Sequence, residues 1–175
     1  SLHRLEQLSV RERLKVGDVG QQRFESRLSN AAEVLLAAWF DRSDRNDLLT
    51  RAALEQKALL SSHVDAVLQL ADEHGLQSDI LTRLATELGS WVQERGDRGK
   101  ARRLFERSLA IDQERHRQEP ENTEGAHNLA VSIERLAGMD MVEGKREAAR
   151  SGFSAMMKIS QHLADEHPEV PDYQC

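Results

Sequence analysis

Laid over itself with Leu88 on Leu136, this chain places the stretch 88–121 on the stretch 136–169. In that register Gly96 meets Gly144, Ala101 meets Ala149, Phe105 meets Phe153, Ile111 meets Ile159 and Pro120 meets Pro168. The coincidences fall on residues with distinct structural duties: a turn glycine, a small contact residue, an aromatic filler and a closing proline. A fixed period of this kind marks repeat architectures, in which one supersecondary unit cannot bury its own apolar face and stacks on its neighbours instead.

The unit itself reads as a helix pair. Leu81, Leu84, Ala85, Leu88 and Val92 recur at helical spacing, which predicts a helix A over 79–94. Gly96 then punctuates the chain and Asp97 is placed to cap the next helix. Helix B is predicted over 98–118, with Ala101, Leu104, Phe105, Ser108, Leu109 and Ile111 inward and Pro120 closing it. The same pattern predicts helices over 122–142 and 146–167, joined at Gly144. Upstream, Leu70-Ala71-Asp72-Glu73-His74 repeats as Leu163-Ala164-Asp165-Glu166-His167, so a third, more eroded pair is expected. Its helix A runs over 21–40, its helix B over 47–74 with a candidate bend at Ser61-Ser62, and 41–46 forms the polar turn. A short leading helix over 4–15 ends near Gly17.

Composition agrees. Proline occurs three times in 175 residues, Val and Ile are sparse, and the helix formers Leu, Ala, Glu, Arg and Gln dominate. The expected fold is all-α, about seven helices in antiparallel pairs, with no strand candidate. We read residues 1–175 as one helical-repeat domain: leading helix 1–19, degenerate repeat 20–77, repeats 78–121 and 122–169, and a tail or start of a further repeat at 170–175.

These features resemble the tetratricopeptide repeat, in a long-period form similar to repeats of large bacterial multidomain regulators. The carrying residues are Leu88-Gly89, Gly96, Ala101, Phe105 and Pro120, and then Leu136-Ala137, Gly144, Ala149, Phe153 and Pro168. The period is longer than the roughly 34 residues usual in that family. Ala85, Val92, Ile133 and Asp140 stand where the family has larger residues in helix A. The resemblance implies a right-handed solenoid in which Gly89, Ala101, Ala137 and Ala149 allow close helix approach. Phe105 and Phe153 would fill the wedge between successive pairs. It also implies a partner-binding groove lined by helix A: Arg83, Thr86, Ser90, Gln93 and Glu94 in one repeat, then Val131, Glu134, Gly138, Met141 and Val142 in the next.

Several function classes find no support in the residues. A net charge of −6 argues against a general nucleic-acid binder. No apolar run reaches the roughly 20 residues of a membrane span, and the polar start Ser1-Leu2-His3-Arg4 is not a signal peptide. The absent initiator Met is read as a sign of a processed chain or a piece of a longer one. The single Cys175 suits a reducing, cytoplasmic setting and has no recognisable base partner. Gly96-Asp97-Arg98-Gly99-Lys100 lacks the upstream Gly and following Ser or Thr of a phosphate loop. The turn 41–47 has the composition of a calcium loop without its Gly and closing Glu. His162 and Glu166 share a helix face that offers at most two ligands, where zinc wants three or four. No catalytic residue, metal or cofactor is therefore expected.

The basic cluster Arg95, Arg98, Lys100, Arg102 and Arg103, with Arg107 a turn further on, offers a patch for an acidic partner or an ordinary solvated face. The expected function is a non-catalytic scaffold for a partner peptide or domain. Two alternatives stand beside it. One is the regulatory repeat region of a larger signalling enzyme (protease, kinase or ATPase) with an intramolecular partner domain. The other is a self-assembling array of identical chains.

Overall fold

A computed structural model of the chain describes residues 17–40, 51–167 and 170. Six helices occupy them: α1 Gly17–Trp39, α2 Arg51–Glu73, α3 Asp79–Glu94, α4 Arg98–Gln118, α5 Thr123–Val142 and α6 Arg146–Glu166. No strand occurs among the described residues. The all-α expectation holds. The expected leading helix and the polar turn 41–46 lie outside the described residues, so six of the seven expected helices are seen.

The chain forms two compact units, Ser1–Leu84 and Ala85–Cys175, with the division inside α3. In the first unit, the Lys57 ammonium sits 5.3 Å from the Trp39 ring and Phe24 packs 4.3 Å from His74. These contacts pair the end of α1 with the start of α2 and the reverse, so the two helices run antiparallel. Their buried seam is Phe24, Leu28, Ala32, Leu36 and Trp39 against Val64, Val67, Leu68 and Ala71. The chain is helical already at Gly17, ahead of the expected start at residue 21, because the buried stripe sets where a helix packs and not where it starts. The helix continues without interruption through Ser61-Ser62, where a bend was expected. Both hydroxyls donate to carbonyls three residues back, Ala58 and Leu59, within one continuous helix.

In the second unit the hydrogen bonds that close the first helix of each pair recur. Gly96 and Gly144 take the left-handed conformation, with φ of 88° and 78°, which only glycine adopts without strain. The Gly96 amide donates to Gln93 O and the Asp97 amide to Val92 O, while Gly144 donates to Met141 O and Lys145 to Asp140 O. This is the paired hydrogen-bond closure that satisfies the last carbonyls of a helix. Both α4 and α6 are 21 residues long, and α6 stands in the chain where the Gly96-to-Gly144 displacement carries α4. Asp97 caps α4 by accepting from the Lys100 amide at 3.0 Å, whereas Lys145 gives α6 no such bond.

Pairing within the second unit is antiparallel and tight. A Cβ on Gly89 would lie 2.6 Å from Phe105 Cε1, and one on Gly152 would lie 2.8 Å from Ala137 Cβ. Phe105 is fully buried with Ala101 and Met139, and Val92 and Leu136 pack against that cluster. Phe105 is thus buried between Gly89 of α3 and Met139 of α5.

Candidate functional site

Four of the helix A residues expected to line a groove lie on α3 in the second unit. Thr86 Oγ1 donates to Ser108 Oγ of α4 at 3.2 Å, and Ser108 Oγ donates to Leu104 O at 3.1 Å. The Ser90 hydroxyl donates to Thr86 O at 3.1 Å. These hydroxyls therefore face the partner helix or their own backbone. Gln93 is half-buried and Glu94 exposed. Arg83 belongs to the first unit, where its guanidinium lies 5.6 Å from the Phe40 ring. On α5, Val131 and Gly138 are half-buried and Glu134 is exposed. Met141 and Val142 are 55% and 60% exposed. The accessible members on this helix are thus one carboxylate and an apolar pair near its C-terminus.

The basic patch divides. Arg98 and Arg103 are exposed, and Arg95 stacks 3.9 Å over the Trp91 ring. Lys100 is half-buried. Arg102 is not part of an open patch. Its Nη2 donates to Asp140 at 2.7 Å and to Glu143 at 2.8 Å, and its Nε donates to Glu143 at 3.2 Å. The hydrogen bond to Asp140 holds the guanidinium more firmly protonated. Glu143, held mainly by Lys145 and also by Arg102, titrates below the usual carboxylate range. Arg102 is a rivet between α4 and α5, and its partners lie too far along the chain for spacing to reveal them.

Two further features were not expected. Asp112 of α4 is buried, and Ser132 of α5 donates to its Oδ2 at 2.6 Å. Burial pushes the Asp112 carboxyl up, partly offset by that hydrogen bond. The second feature is an open hollow along α6, lined by Met141, Arg146, Arg150, Phe153, Met157 and Gln161 among others. The sequence did hold a signal for this hollow. Arg146, Arg150, Phe153 and Met157 are the repeat counterparts of Arg98, Arg102, Phe105 and Leu109, of which Arg102 and Phe105 meet α5. Phe153 is half-buried where Phe105 is fully covered, so in α6 the wedge residue is open on one side.

His162 Nε2 lies 3.5 Å from Glu166 and Asp165 accepts from Gln161 at 2.8 Å, as neighbours on one helix face. Among the described residues no three or more of His, Cys, Asp and Glu converge as a metal would need, and no helix is long and apolar enough to cross a membrane. The turn 41–47 and Cys175 lie outside the described residues.

No family model matches the chain. No solved structure matches it. The chain is similar to Ribonuclease HII from two strains of Halobacterium salinarum, 36% identical over 86 residues, which is 46% of this chain. It spans 40% of the length of those curated relatives.

Proposed function

We propose that the chain is a non-catalytic scaffold that holds a partner peptide or domain on the exposed faces of a stacked, right-handed array of helix pairs similar to the tetratricopeptide repeat. The observation that carries this reading is the recurrence of one helix–turn–helix unit, down to its closing hydrogen bonds, at Gly96 and again at Gly144. Units that bury one face on a neighbour leave the other face to build an extended surface, and such arrays commonly work by binding. Glu134 and Met141 are the exposed α5 residues placed to contact a partner, with Gln93 on α3. The test is capture of partners on the immobilised chain, repeated with Glu134→Arg and Gln93→Ala after circular dichroism shows both variants folded. Loss of capture is expected. Capture that survives both changes overturns the assignment of these residues.

The likeness to Ribonuclease HII favours a second reading, in which the chain is part of a larger protein with nucleolytic activity. A ribonuclease assay on the purified chain tests the scaffold reading: no turnover is expected, and turnover by this chain alone would sink it.

A further inference from the structure

We infer that the open face of α6 is a seat for one kind of partner: an amphipathic helix of another polypeptide, with two apolar residues one turn apart followed by carboxylates one and two turns on. The inference rests on the scaffold reading and names its partner's chemistry.

The equivalent face of α4 is met by another helix inside the chain. Arg98, Arg102, Phe105 and Leu109 recur at i, i+4, i+7 and i+11, which places them on one stripe. The helix α5 meets that stripe at Arg102 and Phe105. Met139 is buried with Phe105, Leu136 packs against that cluster, and Asp140 and Glu143 receive Arg102 at 2.7 and 2.8 Å. The recognition pattern on α5 is therefore Leu136-x-x-Met139-Asp140-x-x-Glu143: apolar residues enter the wedge and carboxylates meet the arginine beside it.

The stripe on α6 carries the same chemistry at the same spacing: Arg146, Arg150, Phe153 and Met157. Nothing among the described residues covers it as α5 covers α4. Phe153 lines an open hollow, Met157 is 65% exposed and Met141 at its edge is 55% exposed. Arg150, the counterpart of Arg102, is exposed and has no carboxylate partner among the described residues. Exposed apolar surface rimmed by polar residues is how an interaction site presents itself. Here the rim carries three cations, Arg146, Arg150 and Lys158, against one carboxylate, Asp165, so its balance is cationic. Charge complementarity thus selects an acidic helix, and the α4–α5 contact shows how it would lie.

The experiment uses the intact chain and a labelled, end-blocked peptide of residues 127–143, which carries the α5 pattern, followed by fluorescence anisotropy. Saturable binding is expected, weakened about tenfold or more by Arg150→Glu and by Phe153→Asp in the protein. A peptide with Asp140→Lys and Glu143→Lys is expected to bind Arg150→Glu better than the parent chain. Both protein positions are at the surface of α6, and circular dichroism checks that the variants fold. Binding that neither protein variant weakens overturns the inference, since the peptide would then sit elsewhere, for example on α4 in place of α5. Failure to bind, with self-association that Phe153→Asp abolishes, overturns it in favour of a second copy of this chain. Partner capture that depends on Glu134 and Gln93 while the peptide fails to bind would leave the scaffold reading standing and remove this inference alone.

Discussion

At the scale of single residues, the glycines separate packing from backbone effects. Gly89 has Phe105 against it, and an added Cβ would stand 2.6 Å from the ring. Gly138, also in a helix interior, faces open space. Gly89→Ala is therefore expected to cost about 1–3 kcal/mol through overpacking. Gly138→Ala should gain about 0.5–1 kcal/mol by restricting the unfolded chain. Urea unfolding of both variants reads the opposite signs. The buried Asp112–Ser132 pair makes a second prediction. Ser132→Ala strips a buried carboxylate of its donor and should cost roughly 1–3 kcal/mol. Because burial raises the Asp112 pKa in the fold, the protonated form is the one the fold favours. Its contribution is complete below the ordinary carboxylate range and is lost as pH rises through the raised folded value. Asp112→Asn removes that loss, so its stability relative to the parent should rise with pH across that window in thermal melts. A flat difference would contradict the assignment. This pair was hidden in the sequence because a polar residue beside an apolar stripe reads as surface, and only the α4–α5 packing encloses it.

Between elements, Phe105 and Phe153 are the same residue of the same motif in two settings. Phe105 is fully buried under Met139 of α5, and Phe153 is open to the hollow on α6. Phe105→Ala is expected to cost about 3–5 kcal/mol, as for a buried aromatic in a packed core. Phe153→Ala should cost a small fraction of that, and equal losses in chemical denaturation would show that α6 is covered in solution by something else. The bounds of α3 and α4 were legible to the residue and those of α5 and α6 within one, because glycines, prolines and cap residues punctuate them. The four residues of α1 ahead of 21 were not, since they lie ahead of its buried stripe. The pairing of Arg102 is invisible in the sequence because spacing shows charges on one helix and not the carboxylates that a neighbouring helix brings to them.

For the whole molecule, the claim beneath the fold and its proposed function is that the 48-residue period is a structural module and not an echo within an ordinary bundle. A module contacts only its neighbours, so removing one should lower stability without destroying the fold. A bundle that loses two helices exposes its core. The direct test deletes residues 97–144, which joins Gly96 to Lys145 and rebuilds the same turn between α3 and α6. Far-ultraviolet circular dichroism through a urea titration is the measurement. The predicted result is an unchanged helical signal per residue in buffer and a cooperative transition at lower urea. Collapse of the helical signal per residue in the absence of denaturant would contradict the modular repeat and the scaffold built on it.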